Sequence, residues 1–149
     1  MSEIMSDTRE IISYMAIIVI VIIIAQHMDV VVSGSMEPVF YRGDIVVVEK
    51  TDFLGINEIN PDDLKIGDIV IYNAIWYPDP VIHRIIATGT AINGTPYYVT
   101  KGDNNPVPDP VVVYPSQIDA KVISLGSTAG KNLIVIPYIG NISLWIKGL

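Results

Sequence analysis

The sequence predicts a mainly β protein carried behind one N-terminal membrane-spanning helix, and three observations predict it. Residues 11–28 form a run without formal charge, centred on Ala16-Ile17-Ile18-Val19-Ile20-Val21-Ile22-Ile23-Ile24-Ala25. Beyond Asp29 the apolar residues fall into short β-branched runs separated by Gly, Pro, Asn and Asp, with no long stretch of helical period. Half of the 149 residues are hydrophobic, only 17% are charged and the mean hydropathy is +0.46, a composition shifted towards membrane association.

As a helix the run 11–28 would span roughly 27 Å, enough for the hydrocarbon core of a bilayer. A strand of that length, apolar on both faces, does not suit a small domain. Arg9 is the only basic residue before the run, and no small-x-small site follows Ala25-Gln26-His27-Met28, so the segment reads as an uncleaved anchor. Arg9 and Arg42 balance across it, so flanking charge encodes no orientation. The expected division is a short tail (1–10), the anchor (11–28), a β-domain (29–130) and an apolar membrane-proximal segment (131–149).

Within the β-domain, strands are expected over 30–32, 44–50, 68–73, 81–92, 95–101 and 119–125. Two of them open alike, Gly43-Asp44-Ile45-Val46-Val47 and Gly67-Asp68-Ile69-Val70-Ile71, as one turn-into-strand solution used twice. Pro61-Asp62-Asp63-Leu64 reads as a turn. Pro106, Pro108, Pro110 and Pro115 make 104–116 a loop with a brief extended piece over 111–114. The tail 133–149, broken by Pro137 and Gly140, is expected to pack on the membrane surface or on the β-domain.

Asn93-Gly94 between two strand-like runs predicts a hairpin with a type I′ turn. With Ile92 and Thr95 flanking that turn, Arg84 falls opposite Asp103 and His83 opposite Asn104. Alternation then puts the Arg84–Asp103 pair on one face and His83 on the other. A bulge at Gly89 or Gly102 would slip the register by one and exchange the faces.

Several function classes are excluded. A net charge of -7 without clustered Lys or Arg argues against nucleic acid. Zero cysteines exclude disulfides, thiol catalysis and thiolate metal sites, and two distant histidines make no metal site, so no metal or cofactor is expected. A serine just beyond the anchor is a candidate nucleophile, and a serine hydroxyl needs an adjacent base. Ser35, in Ser33-Gly34-Ser35-Met36-Glu37-Pro38 just beyond the anchor, is the candidate, with Gly34 permitting close backbone approach. His83 is the only histidine beyond the anchor, and imidazole changes charge near neutral pH as a general base requires. The orienting acid is Asp103 or Asp109. Taken singly, such a serine or aspartate is usually a turn residue and such a histidine usually a packed strand residue.

Together and in order, the residues resemble a family. Ser33-Gly34-Ser35-Met36-Glu37-Pro38, Arg42-Gly43-Asp44-Ile45-Val46-Val47-Val48, Gly67-Asp68-Ile69-Val70, Ile82-His83-Arg84-Ile85 and Thr100-Lys101-Gly102-Asp103-Asn104-Asn105 are similar to the successive motifs of type I signal peptidases. Ile136-Pro137-Tyr138-Ile139-Gly140 looks like the family's final segment. A histidine in place of the bacterial lysine resembles the archaeal and endoplasmic reticulum branch.

The resemblance implies a signal-peptidase-like β-domain of antiparallel sheets, partly barrel-like. It implies a membrane-anchored serine endopeptidase that cuts exported preproteins after small-x-small sites, on the extracytoplasmic side of the cell membrane or the lumenal side of the endoplasmic reticulum. Ser35 would be the nucleophile, His83 the base, Ser33 and the Ser35 amide the oxyanion hole. Asp109 matches the orienting carboxylate better than Asp103, which would support the site by holding Arg84. Val31, Val32, Met36, Val81 and Ile82 are candidates for shallow substrate pockets. The implied partners are preproteins and the lipid bilayer, with accessory membrane subunits as a further class.

Two rivals share parts of this pattern. Self-cleaving repressors of the SOS response have a Ser-Met core and a related β-fold, but they use lysine and carry a DNA-binding domain that this chain lacks. A non-enzymatic membrane-anchored β-module would need five motifs in order by chance.

Overall fold

The protein is described by a computed structural model that covers residues 2–123, 133–137, 139, 144–146 and 148. Helix α1 spans Ser2–Gln26, followed by strands β1 (Met28–Val30), β2 (Ile45–Lys50), β3 (Ile69–Tyr72), β4 (Val81–Thr90), β5 (Pro96–Lys101), β6 (Ile118–Val122) and β7 (Val135–Ile136). The helix begins well before residue 11, because Asp7, Arg9 and Glu10 do not oppose helix formation. It stops at Gln26, and Met28 already pairs with Val47. Its stretch Asp7–Gln26 has mean hydropathy 2.2, and none of its best apolar window is buried against the rest of the protein. It is therefore long and apolar enough to cross a membrane.

Every pairing is antiparallel, in the order β1-β2-β6-β3-β4-β5, with β7 on β2. Short strands joined by turns permit this arrangement, and the mainly β class predicted from the sequence is the class observed. β3 lies between β6 and β4 and is buried along its whole length. Its alternation feeds two apolar clusters: Ile69 and Ile71 join Val31, Met36, Phe40, Val46, Val48, Ala120 and Val122. Val70 and Tyr72 join Ile59, Leu64, Val81, Ile85, Tyr98, Val113 and Ile118. A continuous apolar run, Ile69-Val70-Ile71-Tyr72, is what a strand covered on both faces requires.

The twice-used opening is a shared turn. Gly43 and Gly67 take φ of 91° and 100°, and the following Asp44 and Asp68 amides bond to Tyr41 O and Lys65 O at 3.0 Å. Each Asp carboxylate accepts the amide of the residue three before it, Tyr41 at 2.8 Å and Lys65 at 3.0 Å. A type II turn needs positive φ at its third residue, which glycine adopts without steric cost.

The hairpin departs from its expected register. Ala91 N–H donates to Thr95 O (2.8 Å) and Gly94 N–H to Ala91 O (2.9 Å), while Gly94 has φ 83° and Asn93 is not in the left-handed region. The connection is thus a three-residue loop, Ile92-Asn93-Gly94, not a two-residue type I′ turn. A second slip occurs between Ile85 and Ala87, so Arg84 faces Lys101. Two slips of one residue restore the original faces, which is why the face argument holds although its register and its bulge positions do not.

The first strand sits at 28–30 rather than 30–32; Val31 still bonds to Asp44 O and Gly43 N (2.9 and 2.8 Å) before the chain leaves the sheet. Val113 forms the brief extended contact expected in the proline-rich loop, bridging Tyr98. Leu133 and Val135 pack against the first cluster, so this part of the tail lies on the β-domain. Residues 124–125, and Tyr138 and Gly140 of the last motif, are outside the described residues.

Gly67→Ala should destabilise the domain by about 1–2 kcal/mol, the usual cost of left-handed backbone for a residue with a Cβ. A thermal melt shows this as a lower midpoint; an unchanged midpoint would contradict the turn assignment.

Candidate active site

The Ser35 segment is fixed from beneath. Met36 and Phe40 are fully buried, and a tight turn holds them, with Val39 N–H and Phe40 N–H on Met36 O at 2.9 and 3.1 Å. Ser35 is left half-buried on the outer side of this anchor. Across from it the loop after β5 supplies two hydrogen bonds: Asn104 N–H to Ser35 O (2.8 Å) and Asn104 Nδ2 to Gly34 O (3.1 Å). These bonds join the chain leaving β1 to the chain leaving β5, the two ends of the strand order. The sheet is not closed by pairing, yet its ends meet here.

His83 lies in β4, buried, with its ring on the face carrying Val81 and Ile85. Its Nε2 is 3.1 Å from Ser35 Oγ, and its Nδ1 is 2.7 Å from Asp109 Oδ2. An ionised carboxylate only accepts, so Nδ1 carries the proton. Nε2 of the neutral ring is then the acceptor for the Ser35 hydroxyl. Ser33 Oγ lies 3.1 Å from Ser35 Oγ; with the Ser35 proton directed at His83, Ser33 is the donor in that contact.

Asp109 arrives because the proline-rich loop doubles back along β5, with Asp109 N–H on Thr100 O (2.9 Å) and Val113 paired with Tyr98. Pro106, Pro108 and Pro110 lack amide donors, which suits a segment at a sheet edge. Only 3% of the Asp109 side chain is exposed. Burial by itself would raise its pKa. Hydrogen bonds from His83, Thr100 Oγ1 (2.6 Å) and Tyr72 OH (2.7 Å) outweigh that effect and hold it below the ordinary carboxylate value. Bonds to a charged acceptor contribute roughly 1.5–3 kcal/mol each, enough together to offset a desolvation penalty of several kcal/mol. The same burial, with the Asp109 charge beside it, pushes the Tyr72 phenol well up, so it stays a proton donor.

Asp103 is not in this chain of bonds. Arg84 Nε and an Arg84 terminal nitrogen grip its two oxygens at 2.9 and 2.7 Å, and the other terminal nitrogen donates to Gly67 O (2.9 Å). Arg84 therefore ties the turn before β3 to the loop after β5 from the face opposite His83. Of the five substrate-pocket candidates, Val31, Val32 and Ile82 line a cleft of about 630 Å³ that also contains Ser33 and Tyr77. Met36 and Val81 do not line it; Met36 lies in the first cluster and Val81 in the second.

Three further residues were not identified from the sequence. Tyr72 read there only as a strand residue, and Thr100 only as a strand residue that opens a motif. Gly102 read as part of a motif, but a Cβ on it would lie 2.6 Å from Ser35 O and 2.9 Å from His83 Nε2. Only glycine leaves the imidazole room to reach the serine. A small residue facing a histidine across a hairpin was the one signal available, and the register needed to read it was off.

No family model matches the chain. It is 31% identical to an uncharacterised protein of Methanocaldococcus jannaschii, over 87% of this chain and 88% of that one. It is 34% identical to the signal peptidase complex catalytic subunit of Schizosaccharomyces pombe, over 78% of this chain and 65% of that protein. To the corresponding subunit of Plasmodium falciparum it is 32% identical, over 79% and 57%. The chain thus spans less than two thirds of the length of these two catalytic subunits.

Because the Asp109 pKa is lowered on folding, its contribution to stability is fully present above the ordinary carboxylate value and is lost as pH falls from that value through the lowered native one. Tyr72→Phe with Thr100→Val removes two donors, so the native carboxyl should move back up toward its unfolded value and the acid-side loss should become smaller, with about 1–3 kcal/mol per site lost at neutral pH. Denaturant melts at stepped pH measure both. An unchanged acid limb would contradict the assigned balance.

Proposed function

The chain belongs to the type I signal peptidase family, in the archaeal and endoplasmic reticulum branch, and from that premise we propose that it is a membrane-anchored serine endopeptidase that removes signal peptides from exported preproteins. The observation that supports this most is the unbroken run of hydrogen bonds Ser35–His83–Asp109, at 3.1 and 2.7 Å. A nucleophile, a base and an orienting carboxylate in that geometry are what acyl transfer by serine requires.

In this reading Ser35 Oγ attacks the scissile carbonyl while His83 Nε2 takes its proton. Asp109 keeps the ring in the tautomer that can do so and stabilises the imidazolium that forms. The oxyanion is met by the Ser35 amide and by the Ser33 hydroxyl, which is free to turn from Ser35 once the nucleophile is spent. His83 then returns the proton to the leaving amine, and water repeats the sequence to release the acyl group. Asp103 acts on stability through Arg84.

The substrate is read as an extended peptide in the cleft beside Ser33, with backbone pairing giving affinity and the Val31, Val32 and Ile82 surface admitting only small side chains. Helix α1 would place the site at the membrane plane, on the extracytoplasmic or lumenal side. Sharing that plane with an anchored substrate raises effective concentration, so peptide affinity can be modest. The named relatives are subunits of a complex, which supports accessory membrane subunits as further partners.

The test is cleavage of a preprotein by the detergent-solubilised chain. Ser35→Ala and His83→Ala should each abolish it, and Asp109→Asn should lower turnover by about 10⁴-fold with the fold intact. Asp103→Asn should chiefly lower the melting temperature. Undiminished cleavage by Ser35→Ala or His83→Ala would overturn the mechanism.

A second substitution separates room from chemistry. Gly102→Ala should retain the fold by circular dichroism yet lose most turnover, because its Cβ would have to displace the Ser35 carbonyl or the His83 ring.

A further inference from the structure

We propose that His27 and Glu58 form a proton-held clamp between the end of α1 and the β-domain, closed while the pair shares one extra proton and opened at one end when that proton is lost. The clamp belongs to the junction and does not depend on which peptide the site takes.

The hydrogen bonds of the imidazole require that proton. His27 Nδ1 lies 2.8 Å from Ile23 O, and Nε2 lies 2.7 Å from Glu58 Oε1. A backbone carbonyl only accepts, and so does an ionised carboxylate. A neutral ring has one N–H, which serves one of these contacts and leaves two lone pairs facing each other at the second. Moving the N–H to the other nitrogen only moves the conflict. Both contacts are met when the ring is an imidazolium, or when the proton sits on Oε1 and is donated to Nε2. In either form the pair holds one proton more than a neutral ring and a free carboxylate.

Both partners are fixed by backbone. Ile23 lies in the last turn of α1, and Val48 N–H donates to His27 O (2.9 Å). Glu58 closes the intervening loop onto Lys50, its N–H on Lys50 O (3.2 Å) and its Oε2 accepting Lys50 N–H (2.7 Å). The Phe53 ring meets the His27 ring edge-on at 4.5 Å. Neither partner can follow the other once the shared proton leaves. β1 begins at the residue after His27, and its chain continues to Ser33 and Ser35. Opening the clamp therefore frees the tilt of α1 against the sheet that carries the site.

Charged groups around the ring set the response. α1 contributes none after Glu10, β1 contributes Asp29, β2 Glu49 and Lys50, and the loop Asp52 and Glu58. Beyond them Asp119 on β6 shares a cleft with Asp29, Lys50 and Asp52, while Glu49 is taken up by Lys121 (3.6 Å). Glu58 favours the extra proton and Lys50 opposes it. The Lys50 amide, more than His27, holds the Glu58 carboxyl below its ordinary value, so the clamp stays closed well into the acid range. It opens as pH rises and the pair gives up its proton. With 18% and 25% of the two side chains exposed, that proton can pass directly to water.

The chain has two histidines and no cysteine, so both ring protonation and helix tilt can be read on the full chain in detergent micelles. With nitrogen-15-labelled histidine, and His83→Gln to assign the signals, His27 should pass from two protonated ring nitrogens to one as pH is stepped from about 5 to about 9, across the range in which imidazole titrates. Nitroxides on Ile20→Cys and Ile92→Cys report the distance from α1 to the far hairpin by pulsed electron spin resonance. Its distribution should be narrow while His27 carries two protons and should broaden as one is lost. Glu58→Gln should invert that response: its NH2 donates to a neutral ring and its oxygen still accepts the Lys50 amide, so the distribution should be narrow at the basic end and broaden towards acid. A single protonated nitrogen on His27 at every pH, or the same direction of change with and without Glu58→Gln, would overturn the clamp. Either result would leave the anchor and cleavage readings untouched.

Discussion

The bond from the Asn104 amide to the Ser35 carbonyl, 2.8 Å long, joins the two ends of an open sheet, and the rest of the structure is arranged to make it possible. β1 and β5 are the outermost strands in the pairing order, so nothing in the ladder brings them together. The sheet must curl, and it curls about β3, whose four residues feed apolar clusters on both faces. Met36 and Phe40 fasten one side of the junction to the first cluster, and Arg84 fastens the other by gripping Asp103. Ser35 and His83, 48 residues apart, meet only because this junction holds.

Within the junction, the balance of forces is set by one buried carboxylate. Asp109 is costly to bury and is kept ionised by three buried donors, two of which, Tyr72 and Thr100, are hydroxyls. Neutral hydroxyls donate without adding charge, so the full negative charge remains available to the imidazole. The opposite face uses charge differently: Arg84 and Asp103 neutralise one another and hold backbone in place. One strand thus carries a candidate base and a structural ion pair on adjacent residues, separated by the alternation of the pleat.

Position relative to α1 ties this site to a helix long and apolar enough to cross a membrane. β1 follows the helix after a single residue, and only four residues separate β1 from Ser35. The His27–Glu58 pair, at 2.7 Å, stiffens that short connection, so the orientation of the β-domain follows that of the helix.

The mainly β class, the apolar helix, the paired glycine turns and the order of the motifs were legible in the sequence, because each rests on local rules: period, β-branching, and the need for glycine at positive φ. The separation of Arg84 and His83 onto opposite faces was legible for a similar reason, since two one-residue slips cancel in an alternating strand. Only the tertiary structure decided the rest. The register could not be read, because a three-residue loop and a bulge at the Ile85–Ala87 step differ from a two-residue turn by little local energy. That Asp109 rather than Asp103 reaches His83 depends on a proline-rich loop doubling back along β5, and the roles of Tyr72, Thr100 and Gly102 depend on what lies across from them. Those are contacts between distant residues, and a linear pattern carries no information about which strands a curled sheet will bring face to face.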